Sequence, residues 1–165
     1  MFLVRKARKH DKDAFVLLMK ECGPDMYKVA KAILRNDDDA ADAMQETALT
    51  CWDKIGTLKN DRYFKTWMTR ILINHCNAIL RERKRFVEGE ELLENRGCPG
   101  EYSSVEWKAF LEEVEEKYRI ILILYYVQGF KTREIAEILG IHESTVRGRL
   151  STARSRIERM YCEQT

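Results

Sequence analysis

Apolar residues recur at three- and four-residue spacing along most of this 165-residue chain, and nowhere do they alternate with polar ones for long enough to suggest a strand. The spacing predicts helices near residues 11–22, 25–35, 38–55, 63–85, 105–114, 117–128, 132–139 and 143–160. The pattern breaks once, over VEGEELLENRGCPGEYSS, which holds three of the eight glycines and one of the two prolines and has no sustained amphipathic face. The chain therefore reads as all-α: two small helical domains, residues 1–86 and 105–165, joined by a flexible acidic linker over residues 87–104. No internal repeat is present, which argues for two different domains rather than a solenoid.

Three of the predicted helices have outer faces with distinct chemistry. In DDDAADAMQETALTCWDKI a turn of 100 degrees per residue puts Ala40, Met44, Thr47, Cys51 and Ile55 on an inward side and Asp42, Glu46 and Asp53 on the opposite one, with Leu49 among the acids. A leucine ringed by carboxylates suits a protein partner with a basic rim; an acidic, solvated face with one stray leucine is the plainer alternative. In YFKTWMTRILINHCNAILRERKR the inward stripe is Phe64, Met68, Ile71, His75, Ala78 and Ile79, with His75 expected as a hydrogen-bonded core histidine. Arg70, Asn74, Asn77 and Arg81 form a row on another face, offering the bidentate donors and mixed amides that read base edges. Trp67 borders that row, either to stack on an unpaired base or to fill core.

The third helix lies in EIAEILGIHESTVRGRLSTARSRI. Thr132 is placed to cap a first helix, Gly140 to end it in a left-handed conformation, and a second helix to start near Glu143, the spacing of a helix-turn-helix. In the second helix Val146, Leu150, Ala153 and Ile157 point inward. Opposite them run Ser144, Gly148, Ser151 and Ser155, with Thr145 and Thr152 beside the strip, Arg147 and Arg154 on one shoulder and Arg149 and Arg156 on the other. A narrow ridge of small residues between cations suits a major groove, with phosphates gripped on each wall. No acid occurs between Glu143 and Glu158, whereas a solvated helix more often intersperses acids for local ion pairs.

Net charge sharpens this picture only when divided along the chain. Residues 1–85 hold 18 Lys+Arg against 12 Asp+Glu, residues 86–116 hold 2 against 10, and residues 117–165 hold 9 against 5. Two basic blocks flanking an acidic one suggest two polyanion-binding modules, with charge fluctuation along a helical surface as the alternative. The five cysteines are far apart, without a Cys-x-x-Cys pair, and read as reduced thiols, mostly core filler, with no metal site. No apolar run is long enough to span a bilayer and the N-terminus lacks a signal peptide's core, so a cytoplasmic protein is expected. No nucleophile–base pair, metal cluster or phosphate-cradling glycine loop appears, which argues against an enzyme and against a cofactor or small-molecule substrate.

Taken together, from about residue 11 to 160, these motifs resemble the extracytoplasmic function (ECF) sigma factors of the sigma-70 family. DDDAADAMQETALTCWDKI resembles regions 2.1 to 2.2, which implies docking on core RNA polymerase through Asp42, Gln45, Glu46, Leu49 and Trp52. YFKTWMTRILINHCNAILRERKR resembles regions 2.3 and 2.4, which implies opening of the -10 promoter element, with Asn74 and the loop KNDRY holding a flipped base. The implied -10 set is Asn60, Arg62, Tyr63, Trp67, Arg70, Asn74, Asn77 and Arg81. YRIILILYYVQGFKTREIAEILGIHESTVRGRLSTAR resembles region 4, which implies reading of the -35 element through Ser144, Thr145, Arg147, Gly148, Arg149, Ser151, Thr152 and Arg154. Asn60, Arg62, Tyr63, Ala48, Glu115, His142, Ser151 and Thr152 depart from the family's common residues. The resemblance implies core RNA polymerase and promoter DNA as partners, a membrane-bound anti-sigma factor covering both domains, and an acidic linker threaded through polymerase. A dimeric operator-binding regulator acting without polymerase, and a helical adaptor that binds protein, remain as readings of the residues alone.

Overall fold

The helix pattern begins earlier than the apolar spacing indicates. A computed structural model describes residues 1–87 and 113–163; all regular elements among them are helical, in two compact units, Met1–Pro99 and Gly100–Thr165. The predicted linker beyond residue 87 and nearly all of the helix expected at 105–114 lie outside the described residues.

The first unit opens with α1 (Phe2–Ala7), six residues that are too few to display a period and were not expected as a helix. Val4 and Ala7 bury against α2 (Lys12–Leu34), which Asp11 caps by accepting from the Ala14 N–H at 3.0 Å. Helices expected at 11–22 and 25–35 are one continuous helix that runs through Gly23 and Pro24. A proline inside a helix costs about 3 kcal/mol. Here Ala14, Phe15 and Leu18 bury before it and Met26, Val29, Ala30, Ile33 and Leu34 bury after it. Each fully buried large aliphatic contributes about 1.5–3 kcal/mol, so packing on both sides outweighs the local break.

Helix α3 (Asp37–Lys54) starts where the Asn36 side chain accepts from the Asp39 N–H at 3.0 Å, and three aspartates occupy its first turn at the positive end of the helix dipole. It packs against both α2 and α4 (Phe64–Val87), after a link containing two short 3-10 turns, Ile55–Thr57 and Asp61–Tyr63. As expected, Ala40, Thr47, Cys51 and Ile55 are buried, although Met44 is only half-buried and Ala43 joins the core. The stripe of α4 is turned relative to expectation. Phe64 and Met68 are buried, but Leu72, Ile73 and Cys76 follow them inward, whereas Ile71, His75, Ala78 and Ile79 are half-buried. Because α4 touches both α2 and α3, it buries a wider arc than a single-partner helix, and that arc is centred one position further on. His75 still finds a partner, Thr50 Oγ1 at 3.0 Å, from the half-buried edge.

In the second unit, α5 (Glu116–Leu122) passes directly into a π-helical turn, Ile123–Val127, whose Gln128 N–H donates to the Ile123 carbonyl at 2.9 Å. Helices α6 (Thr132–Leu139) and α7 (Glu143–Glu163) complete it, and α7 packs against both α5 and α6. Val114, Tyr118, Leu122 and Ala153 form one buried cluster, with Ile157 and Met160 packed on it. Arg119 is buried as well and donates from Nη1 to the Val114 carbonyl at 3.0 Å. Gly140 ends α6 with φ 65 and ψ 35, as its position in the sequence predicts. The expected cap is corrected: Lys131 is the N-cap of α6 and Thr132 its first residue, and the capping box is closed by Glu134, which accepts from the Lys131 N–H at 2.8 Å. Thr132 is instead drawn across the turn, donating to Glu143 Oε1 at 2.7 Å.

The turned stripe of α4 is open to a direct check. Leu72→Ala is expected to cost about 2–5 kcal/mol in urea unfolding, and Ile71→Ala clearly less; the reverse order would contradict the packing described.

Candidate nucleic-acid interface

Helix α3 presents Asp42, Gln45, Glu46 and Asp53 to solvent around Leu49, which is 57% exposed. Trp52 is set differently. It is half-buried, with its ring edge-on to Phe15 at 5.1 Å and to His10 at 5.2 Å, and so ties α3 to the start of α2 while leaving part of its surface free.

On α4, Arg70, Asn74 and Arg81 are exposed and Asn77 is half-buried. No other described residue hydrogen-bonds or ion-pairs with these four side chains. Trp67 lies half-buried against Phe64, the rings 6.0 Å apart and tilted by 46 degrees, which leaves an indole flank beside the row. Just before α4, Asn60 spends its side-chain oxygen on the Arg62 N–H at 3.0 Å and thereby caps the 3-10 turn. Arg62 and Tyr63 are exposed on that turn. Further along α4 the basic end is partly committed: Arg83 pairs with Asp39 and reaches the Leu34 carbonyl, which pins α4 to the junction of α2 and α3.

On α7 the predicted division between inside and outside holds. Val146, Leu150 and Ala153 are buried and Ile157 half-buried, while Ser144, Gly148, Ser151, Thr152 and Ser155 are exposed and Thr145 is half-buried. Thr152 donates back to the Gly148 carbonyl at 3.0 Å. A Cβ on Gly148 would meet nothing within 4 Å, so no contact inside the protein calls for a glycine there.

The arginines flanking this ridge are not equivalent. Arg147 is held by Glu143 at 2.8 Å, one turn earlier; Glu143, which also accepts from Thr132, has its carboxyl below the usual range because of that hydroxyl first and Arg147 second. Arg154 donates from Nε to the Tyr126 hydroxyl at 2.7 Å, and its guanidinium lies over the Tyr125 and Tyr126 rings at 5.6 and 5.8 Å. The π-helical turn is what brings this tyrosine pair to α7. Arg156, expected on an open shoulder, is instead occupied within the fold: it pairs with Glu115 at 2.9 Å and stacks on Tyr118 at 4.6 Å, joining α7 to the start of α5. Arg149 is half-buried and engaged by no other described residue. Sequence periodicity gives no sign of the tyrosine pair, because Tyr126 and Arg154 are separated by 28 positions and belong to different helices. At the turn before α7 the carbonyl of His142 accepts from the N–H groups of Thr145 and Val146.

Among the described residues no group of His, Cys, Asp and Glu is placed to hold a metal ion, and no helix is long and apolar enough to cross a membrane. Burial pushes the thiols of Cys51 and Cys76 up to about 12, which suits core filler. Cys22 is half-buried, Cys162 is exposed, and Cys98 lies outside the described residues.

Comparison with known proteins matches these two units to two family descriptions: Sigma-70 region 2 over residues 18–86 and Sigma-70, region 4 over residues 104–157. The chain is 30% identical over 151 residues to the RNA polymerase sigma factor SigV of Bacillus subtilis, covering 90% of this chain and 91% of that protein. It is 26% identical to the ECF RNA polymerase sigma factor SigM of Mycobacterium tuberculosis, covering 91% of this chain and 78% of that one. Among solved structures it is similar to the sigma factor RpoE in complex with the anti-sigma factor NepR from Bartonella quintana, with a TM-score of 0.75, 25% identity and coverage of 93% and 97% of the two chains. The fold is also that of CnrH in its complex with the cytosolic domain of CnrY, with a TM-score of 0.73, 20% identity and coverage of 99% and 97%.

Gly148 tests whether α7 was shaped for its own stability. Gly148→Ala is expected to raise the stability of the free protein by about 0.5–1 kcal/mol, read from urea unfolding; a loss of stability would mean that an internal contact requires the glycine.

Proposed function

The chain belongs to the ECF group of the sigma-70 family of RNA polymerase sigma factors, and from that premise we propose how its side chains divide the work. A sigma factor directs core RNA polymerase to promoters and initiates transcription, and it is not itself an enzyme. The observation that supports this reading best is the presence, in order in one chain, of a region 2 match over residues 18–86 and a region 4 match over residues 104–157.

Core polymerase docks on the exposed face of α3, through Asp42, Gln45, Glu46 and Leu49 and the free edge of Trp52. Carboxylates around one exposed leucine favour a protein surface with a basic rim and disfavour DNA. The -10 element is opened on α4 and the turn before it. Asn60, Arg62, Tyr63, Trp67, Arg70, Asn74, Asn77 and Arg81 line the captured strand, Tyr63 and Trp67 offering ring surface for unpaired bases and the Arg and Asn side chains offering hydrogen bonds. Asn60 takes part through the turn it caps, since its side-chain oxygen is already spent on Arg62.

The -35 element is read by α7 through Ser144, Thr145, Arg147, Gly148, Arg149, Ser151, Thr152 and Arg154. Arg147 leaves Glu143 for a base edge or phosphate, and the glycine admits close approach to the groove. Each basic unit offers few phosphate contacts alone; polymerase, by fixing both units, raises the effective concentration of one once the other is bound.

The protein acts in the cytoplasm in a stress or envelope response and is held inactive by an anti-sigma factor, the kind of partner named for the Bartonella relative. We place that factor in the membrane, with the chain retained at its inner face. Affinity capture from native membranes should recover it, and capture solely from the soluble fraction would refute the membrane placement.

Run-off transcription with reconstituted holoenzyme separates the two DNA-reading roles. Arg147→Ala is expected to weaken -35-dependent initiation by about 1–3 kcal/mol and to flatten discrimination among -35 variants. Asn74→Ala is expected to abolish strand opening with little loss of polymerase binding; equal loss of both would contradict its assignment to the captured base.

A further inference from the structure

The turn that precedes α4 contains an acid where a polyanion is expected to bind. Asp61 lies between Asn60 and Arg62, and an outward carboxylate there would repel the phosphates of a captured strand. It does not face outward. Its side chain is 12% exposed, accepts from Arg8 Nη1 through Oδ1 at 2.7 Å, and meets Arg5 Nε through Oδ2 at 3.5 Å.

Both arginines come from the end of the chain that the region 2 match, which starts at residue 18, leaves out. Helix α1 is itself anchored, with Val4 and Ala7 buried, and the residues after it touch the same part of the fold. The His10 ring packs edge-on against Trp52, and it lies 3.7 Å from where a Cβ on Gly56 would stand, in the first of the two 3-10 turns. Asp61 is thus the point at which a fixed strut grips the second turn. The two guanidinium groups hold Asp61 from the strut, while the turn presents Arg62 and Tyr63 to solvent and is capped by Asn60.

We propose that Arg5 of α1 and Arg8, at its C-cap, hold Asp61 as a positioning device for the strand-capturing turn, withdrawing its charge from the path of DNA and setting Arg62 and Tyr63 before the strand arrives. This rests on the reading of that turn as part of the -10 interface. The physical advantage is twofold. A charge-assisted hydrogen bond is stronger than a neutral one and fixes direction. A loop ordered in advance does not lose that conformational freedom on binding. The direction of the Asp61 titration agrees: the Arg8 guanidinium, ahead of Arg5, holds its carboxyl below the usual carboxylate range.

The test uses the full chain in holoenzyme on a duplex promoter with 2-aminopurine in the -10 element, following strand opening beside polymerase binding and the urea midpoint of the free protein. Arg8→Gln and Asp61→Asn are each expected to slow opening by about tenfold, the size of one charge-assisted hydrogen bond, with polymerase affinity unchanged. The pair Arg8→Gln with Asp61→Asn should be no worse than either alone, because the two act through one contact. Opening at the normal rate in both folded single variants overturns the proposal, as does a pair whose losses multiply. If either variant fails to fold, Arg5→Ala decides the matter, since that side chain is 72% exposed and its loss does not threaten the core. A fall of about two- to threefold then supports the strut, and an unchanged rate overturns it. Tyr63→Ala and Asn74→Ala run in parallel distinguish the premise: if they open DNA normally, the -10 reading fails, whereas if only they are defective, the strut alone fails.

Discussion

The outward chemistry of both units depends on burial of narrow apolar stripes on the opposite sides of their helices. Val146, Leu150 and Ala153 hold α7 against its neighbours, and at 100 degrees per residue their burial obliges Ser144, Gly148, Ser151 and Ser155 to face away. Phe64, Met68, Leu72 and Cys76 do the same for α4 and leave Arg70, Asn74 and Arg81 outside. No separate device orients these rows. A helix that buries one side well has its other side fixed to within a fraction of a turn, and an interface built on it inherits that rigidity.

Charge is distributed with the same economy. Cations that serve the fold are spent inside it: Arg83 on Asp39 and the Leu34 carbonyl, Arg119 on the Val114 carbonyl, Arg156 on Glu115 and Tyr118. Others are held but accessible. Arg147 rests on Glu143 and Arg154 on two tyrosines, arrangements that direct a flexible side chain while leaving it exposed. A third group, Arg70, Arg81 and Arg149, is engaged by no other described residue. An arginine that has to meet DNA loses rotamer freedom on binding, and holding it near its working position beforehand reduces that loss. The sequence shows all of these as one undifferentiated set of positive charges.

Motifs that depend on neighbours in the chain were legible. The helix-turn-helix with its left-handed Gly140, the inward stripe of α7, the acidic outer face of α3 and the Arg/Asn row of α4 all follow from residues three, four or seven apart. What failed did so mostly where tertiary contacts override the local pattern. Separate helices are expected at 11–22 and 25–35, but burial on both sides of Gly23 and Pro24 keeps α2 continuous, and α1 is too short to announce itself. The α4 stripe was displaced because two helices, not one, receive it. Thr132 satisfied a capping rule on paper, yet Glu143, eleven positions on, competes for its hydroxyl.

By itself, therefore, the sequence determined the all-helical character, the two basic modules and the faces on which their functional side chains stand, since helical periodicity and charge are properties of short windows. Only the tertiary structure decided which arginines no other described residue engages, which are steered by Tyr125, Tyr126 or Glu143, and that Arg8, at the end of α1, reaches across 53 positions to grip Asp61. These pairings are contacts between residues that no period relates. Their energies arise from charge-assisted hydrogen bonds and cation–ring contacts at short distance, and that distance exists only once the helices have packed.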